Sequence, residues 1–333
     1  MSNSKDVKLL LVTGATGKVG RNFIEMFLKS APHESWRVRA LVHERPYPAH
    51  PRVESVRGSI SERSVVKAAM NGVSHVLHLA TCKETPEDVM DVTVKGLFWL
   101  LEEARISPKF EQFILIGGDA ALGHFVYPHP VPVTEAQKWS AYPGCYALSK
   151  VLEECMLEQY YIQYGLNGCC LRAPWIMEKD DFKYTLSFGE DVFGGPIWRN
   201  LVTKEQAEAY YSRGVVPVML DPEGAPVQRN FVHVSDLAAA ILAALDHPKV
   251  RHQCLNVCMD EPVQYRRVAE HLKATRGLDS VDIPTAYHST WLDNTKAKFL
   301  LGWRPKYDLA RLIDDAFSFE RPADDPRKTW YPG

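Results

Sequence analysis

The sequence predicts an α/β fold with a parallel, doubly wound sheet and a smaller C-terminal substrate-binding lobe. Three observations support this prediction. Short β-branched runs alternate with helical patterns of about 10–15 residues through the first half of the chain. A glycine-rich turn follows the first of these runs, at residues 14–20. The alternation stops after Pro174, where glycine, proline and aromatic residues become frequent.

The alternating pattern can be followed element by element. Apolar runs predict buried strands at residues 7–12, 38–42, 73–80, 112–116 and 168–171. Apolar residues at helical spacing predict helices at residues 21–29, 64–70, 92–104 and 151–161. Strands joined by helices of this length pair in parallel, because each connection crosses a face of the sheet. A single sheet with helices on both faces is therefore expected.

The second half of the chain divides differently. Residues 176–227 are irregular, and a strand at 231–234 and a helix at 236–245 follow them. We therefore expect the sheet domain to contain residues 1–175 plus about 228–258. The lobe would contain about 176–227 plus 259–333. Because ligands of doubly wound sheets bind at the carboxyl ends of the strands, the lobe is expected to cover that edge and bind substrate.

The composition is that of an ordinary globular protein. The 333 residues are 46% hydrophobic and 24% charged, with a formal net charge of -2 and no basic block. No apolar run approaches the roughly 20 residues that span a bilayer, and residues 1–8 lack the apolar core of a signal peptide. Seven cysteines without zinc-ligand spacing fit a reducing compartment. We expect a cytoplasmic protein with no metal site and no nucleic-acid or membrane partner.

Three glycines follow the first strand at a spacing suited to a dinucleotide. Gly14 permits a tight turn, Gly17 lets backbone N–H groups approach a pyrophosphate, and Gly20 lets the next helix pack closely. The amino end of that helix adds a positive partial charge. Glycines alone are a weak signal, but these stand between a predicted strand and a predicted helix, as the motif requires. The sheet domain is therefore interpreted as an NAD(P)-binding Rossmann domain, with a purely structural turn as the alternative.

The end of the second predicted strand bears on the choice between NAD and NADP. An acidic residue about 20 positions after the glycines usually binds the ribose of NAD. Here His43 stands at the strand end, Glu44 follows it, and Arg45 could pair with a 2′-phosphate. This order favours NADP over NAD, and the alternative is that all three are solvated loop residues.

Tyr146 and Lys150 lie one helical turn apart, in the order Tyr-Ala-Leu-Ser-Lys. A tyrosine has an ordinary pKa of about 10 and needs a nearby cation to act near neutral pH. The ammonium of Lys150 can stabilise the tyrosinate and hydrogen-bond the nicotinamide ribose. With the glycine loop, the pair predicts hydride transfer with Tyr146 as general acid/base and Lys150 as its catalytic partner. A surface tyrosine and a solvated lysine are the alternative.

These motifs resemble the extended short-chain dehydrogenase/reductases of the NAD-dependent epimerase/dehydratase family. The resemblance covers nearly the whole chain and also rests on segments 76–81, 134–135, 142–143, 171–174, 229–236 and 300–305. With the strand end described above, it implies these cofactor-binding residues: Gly14, Thr16, Gly17, Lys18, Val19, His43, Arg45, Ser59, Ile60, Leu79, Ala80, Thr81, Thr93, Tyr146, Lys150 and Pro174. Ser59 and Thr93 replace a usual aspartate and asparagine, although hydroxyls can still donate and accept.

The sequence departs from the family beside the active site. The family places a serine or threonine at the end of the preceding strand, where Gly118 stands here. Asp119 takes the position of an acidic residue in sugar-nucleotide 4,6-dehydratases, but their next glutamate is Ala120, which weakens a dehydratase assignment. Asp119 is therefore either a catalytic and substrate-binding group or a turn residue.

The resemblance also implies a substrate side. Arg229 matches the arginine that binds the diphosphate of sugar nucleotides, with a structural salt bridge as the alternative. The other expected substrate contacts are Gly118, Asp119 and Trp175. The lone histidines lack metal-ligand spacing and are expected to be structural: His124, His129 and His233.

Three functions are compatible with the sequence. The first is an NAD(P)-dependent oxidoreductase that acts on a secondary alcohol or ketone of a carbohydrate-like substrate. The second is a sugar-nucleotide epimerase or dehydratase that recycles NAD. The third is a non-catalytic NAD(P)-binding regulator, which the missing hydroxyl at Gly118 suggests and the presence of both Tyr146 and Lys150 opposes. By resemblance, a homodimer through helix 96–104 and the helix of Lys150 is expected.

Overall fold

A computed structural model describes residues 7–325 of the chain. Within this part the strands are, in chain order, β1 (Leu9–Thr13), β2 (Arg37–Val42), β3 (Val53–Arg57), β4 (His75–His78), β5 (Gln112–Gly118), β6 (Gly168–Ala173), β7 (Trp175–Met177), β8 (Val216–Leu220), β9 (Gln228–Arg229), β10 (Phe231–His233), β11 (Gln253–Asn256), β12 (Val263–Gln264) and β13 (Ser280–Pro284).

The helices of the described residues are α1 (Lys18–Leu28), α2 (Arg63–Met70), α3 (Pro86–Asp88), α4 (Gly96–Ile106), α5 (Cys145–Tyr164), α6 (Asp181–Thr185), α7 (Lys204–Arg213), α8 (Val234–Ala244), α9 (Tyr265–Arg276), α10 (Thr295–Leu301) and α11 (Leu309–Ser318). A π-helical segment, Val89–Lys95, joins α3 to α4. Between residues 7 and 325, no helix combines the length and the apolar character that a membrane span needs.

One parallel sheet of seven strands organises the molecule, in the order β3-β2-β1-β4-β5-β6-β11. The predicted doubly wound α/β fold is confirmed. The sequence pattern does not predict β3, because this edge strand mixes charged and apolar residues and none of its side chains is fully buried. Helix α5 begins six residues before the predicted helix, so that it contains both Tyr146 and Lys150.

Helices cover both faces of the sheet, which explains the continuous apolar runs of its central strands. Successive side chains of a strand point to opposite faces. Leu10 and Val12 therefore belong to a core with α1 and α8, whereas Leu11 belongs to a core with α2, α4 and α5. All three side chains are fully buried, and each contributes roughly 1.5–3 kcal/mol of hydrophobic free energy.

A separate hydrophobic core lies in the lobe. It contains buried aromatic side chains from the irregular stretch and from the strands and helices that follow: Phe182, Phe188, Phe193, Trp198, Phe231 and Tyr265. Most of the aromatic residues between 182 and 198 thus fill the lobe. Ala297, Leu301 and Trp303 pack instead against the core beneath α1 and α8. The exact residues of each domain stay a prediction.

The strand order changes direction between β1 and β4. From β1 the chain continues to β2 on one side, and β4 pairs with β1 on the other. In doubly wound folds this switch opens a crevice at the carboxyl ends of the two strands. The glycine loop after β1 therefore lies beside the segment that follows β4.

Candidate active site

The glycine loop is held by contacts that leave no room for side chains. Gly14 adopts a φ of +65°, which glycine does without strain. A Cβ atom at Gly14 would lie 2.9 Å from the backbone nitrogen of Ala80, and one at Gly20 would lie 2.4 Å from the Gly14 carbonyl oxygen. Gly17 is the N-cap of α1 and provides no side-chain cap, so the first N–H groups of the helix are open to an anion.

A cleft of about 430 Å³ opens over this loop at the carboxyl edge of the sheet. Parallel strands end at the same edge, so the residues after β1, β4, β5 and β6 converge there. Most residues that the sequence predicts for cofactor or substrate line this cleft: Gly14, Thr16, Gly17, Lys18, Val19, Arg45, Leu79, Ala80, Thr81, Gly118, Asp119, Tyr146, Lys150, Pro174 and Trp175.

Some predicted cofactor residues lie outside the lining of the cleft, namely His43, Ser59, Ile60 and Thr93. Thr93 is fully buried, and its hydroxyl oxygen accepts a hydrogen bond from the Cys82 N–H at 2.9 Å. Ile60 is buried and packs against Gly96. The structure therefore gives Thr93 a role in holding the loop and Ile60 a role in packing, and their contact with the cofactor stays a prediction. His43 is exposed at the end of β2.

Helix α5 presents Tyr146 and Lys150 to the cleft from successive turns. Lys150 is buried, and its Nζ lies 5.7 Å from the centre of the Tyr146 ring and 3.5 Å from the Ile116 carbonyl oxygen. Burial lowers the pKa of Lys150, but the charges of Glu153 and Tyr146 raise it, and the net shift is upward. Lys150 is therefore positively charged at neutral pH.

The loop after β4 makes a second set of contacts with Tyr146. Lys83 Nζ lies 4.0 Å from the centre of the Tyr146 ring. Glu84 Oε2 accepts from the N–H of Cys145 at 2.9 Å and from the N–H of Tyr146 at 3.3 Å, so a carboxylate caps the start of α5. A Cβ atom at Gly144 would lie 2.7 Å from Glu84 Oε1, and glycine lets this carboxylate approach. Sequence reasoning missed Lys83 and Glu84, because 61 residues separate Glu84 from Cys145.

Comparison with known proteins shows which family has this arrangement. The model of the NAD-dependent epimerase/dehydratase family matches residues 10–178, just over half of the chain. The chain belongs to this family. The match runs from β1 to β7 and includes the glycine loop, Tyr146 and Lys150. It identifies the protein as an enzyme of this family, whose cofactor is a nicotinamide dinucleotide.

Similar proteins share the fold over most of the chain. A short-chain dehydrogenase/reductase superfamily protein from Agrobacterium tumefaciens with bound NAD is 24% identical, with a TM-score of 0.75 over 92% of this chain and 95% of its own. UDP-glucuronic acid 4-epimerase from Bacillus cereus in complex with NAD is 18% identical, with a TM-score of 0.69 over 93% and 97%. Mitochondrial L-threonine 3-dehydrogenase from Sus scrofa is 26% identical over 52% of this chain and 45% of its own. The epimerase and the threonine dehydrogenase are named for different substrates.

The epimerase/dehydratase family has a serine or threonine hydroxyl at the position of Gly118. This chain lacks that hydroxyl, but other polar side chains line the same cleft. A Cβ atom at Gly118 would lie 3.8 Å from its nearest neighbour, an ordinary van der Waals contact, so a Cβ atom fits there. Asp119 is buried, and its Oδ1 lies 2.8 Å from Nδ1 of His124. The His124 ring stacks on Tyr142 with centres 5.1 Å apart. His124 and Tyr142 also line the cleft, although the sequence predicts a structural role for His124.

The lobe contributes a wall of the cleft and contacts the glycine loop. Lys18 Nζ forms an ion pair with Asp181 and lies 4.4 Å from the centre of the Phe193 ring. Trp175, Phe193 and Gly194 line the cleft. A Cβ atom at Gly194 would overlap the Trp175 ring, at 1.3 Å, so only glycine lets the two segments pack together. Lys18, next to Gly17 of the glycine loop, thus connects this loop to the lobe.

Arg229 is buried among aromatic side chains outside the lining of the cleft. Its side chain is 2% exposed and is not part of the cleft lining. Its Nη1 donates to the Gly195 carbonyl at 2.8 Å and to the Tyr265 hydroxyl at 3.1 Å. The guanidinium also lies 4.0 Å from the Phe125 ring centre and 4.8 Å from that of Trp175. These contacts indicate that Arg229 holds neighbouring segments together through hydrogen bonds and cation–π contacts, and its contact with the substrate stays a prediction.

Proposed function

We propose that this enzyme transfers a hydride between NAD(P) and a secondary alcohol or ketone of a carbohydrate-like substrate. One observation carries the proposal: the glycine loop, Tyr146 and Lys150 line the same cleft. Family membership supports a nicotinamide cofactor. The polar residues beside Gly118, with the aromatic ring of Trp175, suit a substrate that carries several hydroxyl groups.

The residues of the loop fit a dinucleotide. Side chains at Gly14 or Gly20 would collide with backbone atoms, and α1 begins without a side-chain cap. Gly17 and Lys18 at the start of α1 would hold the pyrophosphate through backbone N–H groups. Arg45 is exposed and lines the cleft, which supports a preference for NADP over NAD. When bound, the nicotinamide supplies or accepts the hydride.

Tyr146 moves the proton in this proposal. During oxidation its phenolate takes the proton of the substrate hydroxyl, and during reduction its hydroxyl returns a proton to the oxygen. The charges of Lys150 and Lys83 beside the ring stabilise the phenolate. Glu84 fixes the backbone from which the Tyr146 side chain extends.

A turnover assay tests the proposal. The purified chain is mixed with NAD or NADP in both redox states and with a panel of sugars, sugar acids and nucleotide sugars. Net reduction or oxidation of the cofactor, read by its near-ultraviolet absorbance, is the expected result. Conversion of a substrate while bound cofactor is regenerated would make the enzyme an epimerase instead. Cofactor binding without turnover across the panel would contradict the proposal and favour a regulator.

We also propose a homodimer through α4 and α5. Several apolar side chains of these helices are exposed on the single chain: Phe98, Ile106, Leu148, Ile162 and Tyr164. Exposed apolar groups concentrated on two neighbouring helices favour burial against a partner. Analytical ultracentrifugation of the wild-type chain and of Ile162→Glu would test this, and a monomeric wild-type chain would contradict it.

A further inference from the structure

The cleft contains a group of polar side chains at the place where the family has its serine or threonine. Gly118 is extended, with φ of -148° and ψ of 150°, and adds no functional group. The next residue, Asp119, begins a short 3₁₀ turn that ends at Gly123, and His124 follows. Asp119, His124 and Tyr142 all line the cleft together with Tyr146. We refer to Asp119, His124 and Tyr142 as the polar cluster.

Asp119 orients the His124 ring. The Asp119 side chain is 9% exposed, and its Oδ1 lies 2.8 Å from His124 Nδ1. This contact is at ion-pair distance and not a hydrogen bond, because Nδ1 has no hydrogen-bond partner within residues 7–325. Nε2 takes no part in the contact with Asp119 and is the nitrogen left to contact a ligand. Hydrolase triads have a similar arrangement. A carboxylate contacts one nitrogen of the histidine ring, and the other nitrogen faces the reacting group.

Tyr142 supplies the independent observation that points to a ligand. Its side chain is 7% exposed, and its hydroxyl has no hydrogen-bond partner within the described residues. Burial raises the pKa of Tyr142 well above its ordinary value, so the hydroxyl stays protonated and can donate. A buried hydroxyl without a partner is costly unless a bound molecule satisfies it. Tyr142 lines the cleft, where a bound molecule can supply that partner.

We propose that the polar cluster replaces the missing family hydroxyl as the substrate-oxygen site of this enzyme. His124 Nε2 hydrogen-bonds the oxygen on the carbon that exchanges hydride, Asp119 positions the ring, and the Tyr142 hydroxyl binds an oxygen on a neighbouring carbon. This inference rests on the proposed function and narrows the substrate to a secondary alcohol or ketone with an adjacent oxygen. Tyr146 still moves the proton, and no additional bond is formed or broken.

A purely structural role for the pair makes different predictions. Asp119 and His124 could simply close the 3₁₀ turn, since the His124 N–H also donates to the Asp119 carbonyl at 3.4 Å. His124→Asn separates the two roles. Asparagine tolerates the left-handed backbone of this position, φ +48°, and its amide can still donate to Asp119, but it has no group at Nε2. His129→Asn is the matched control, because His129 is half-buried in the same loop and is not part of the cleft lining.

The experiment uses the substrate that the wild-type chain turns over in the hydride assay. For His124→Asn we expect kcat/KM to fall about 10²-fold, with an unchanged melting temperature and unchanged NADPH affinity by fluorescence titration. His129→Asn should keep wild-type kinetics. Tyr142→Phe should lose activity on the substrate and match the wild type on its analogue that lacks the adjacent hydroxyl.

The outcomes separate this inference from the function on which it rests. Wild-type turnover together with full kcat/KM in His124→Asn overturns the inference and leaves the proposed function intact. A lower melting temperature with a normal kcat/KM shows that the pair is structural and also overturns it. A wild-type chain that transfers no hydride with any substrate of the panel overturns the proposed function and this inference with it.

Discussion

Glu153 Oε2 lies 2.8 Å from Lys150 Nζ, and both side chains are almost completely buried. The ion pair holds the charge of Lys150 within the protein, beside Tyr146. Glu153 also approaches the sheet, with Oε1 3.7 Å from Nε2 of His78. His78 Nδ1 in turn lies 2.8 Å from Thr13 Oγ1, at the end of β1. A buried polar chain therefore runs from Lys150 to the strand that carries the glycine loop.

Glu153→Gln should destabilise the folded chain by about 3–5 kcal/mol, because it leaves the buried Lys150 charge without its counter-charge. Unfolding in urea measures this, with exposed Glu158→Gln on the same helix as control. The folded-state pKa of Lys150 lies above its ordinary value of 10.5. The stabilisation is therefore complete below that pH and decreases as the pH rises through the raised pKa. Equal unfolding midpoints for Glu153→Gln and wild type would contradict the assignment.

Tyr146→Phe should lower kcat by about 10²- to 10⁴-fold, the usual contribution of a general acid/base. Cofactor affinity should change little, because the ring and its contact with Lys83 are retained. Tyr164→Phe is the control: Tyr164 ends the same helix, is exposed and is not part of the cleft lining. Steady-state kinetics measure kcat for both variants. A Tyr146→Phe variant with full kcat would show that another group transfers the proton.

Gly20→Ala should abolish tight NAD(P)H binding, because the new Cβ would lie 2.4 Å from the Gly14 carbonyl oxygen and would push α1 off the loop. The same clash should reduce stability by about 1–3 kcal/mol. Gly118→Ala serves as control, since its Cβ meets only ordinary contacts. Fluorescence titration with NADPH and thermal melts give the two readouts. Wild-type affinity in Gly20→Ala would mean that the loop does not hold the dinucleotide.

Arg45→Ala should raise the Michaelis constant for NADPH about tenfold, or roughly 1.4 kcal/mol, because it removes a charged partner of the 2′-phosphate. The constant for NADH should stay near its wild-type value. Arg37→Ala is the control, as Arg37 is exposed at the opposite end of β2. An equal effect on both cofactors would assign Arg45 to general electrostatic attraction and remove the reason to expect NADP.

Gly118→Ser restores the hydroxyl that the family has at this position. The backbone of Gly118 is extended and a Cβ atom there meets only ordinary contacts, so serine should be accommodated without loss of stability. In the His124→Asn background, Gly118→Ser should recover part of the lost kcat/KM, because both groups would bind the same substrate oxygen. Additive effects in a double-mutant cycle would show instead that the two positions act independently.

The parts of the site that follow local rules could be predicted from the sequence. The glycine loop needs a strand before it and a helix after it, and both can be identified from apolar periodicity. Tyr146 and Lys150 are one helical turn apart, so their proximity follows once the helix is assigned. The parallel sheet follows from the alternation of strands and helices, and it brings the strand ends together at one edge.

Residues far apart in the chain could not be placed in this way. Glu84 caps a helix that begins 61 residues later, and no local pattern marks that contact. Arg229 matches a family motif, but in the fold its guanidinium is enclosed by Phe125 and Trp175. Asp119 and His124 are only five residues apart, yet their pairing depends on the 3₁₀ turn between them.

The sequence by itself determined the fold class, the glycine loop and the Tyr146–Lys150 pair, because each depends on residues adjacent in the chain or one helical turn apart. The tertiary structure decided which charges surround Tyr146 and which groups stand beside Gly118. Those contacts depend on the packing of the loop after β4, the turn after β5 and the lobe against one another. Burial strengthens the ion pairs and hydrogen bonds of these groups, because water no longer competes for them.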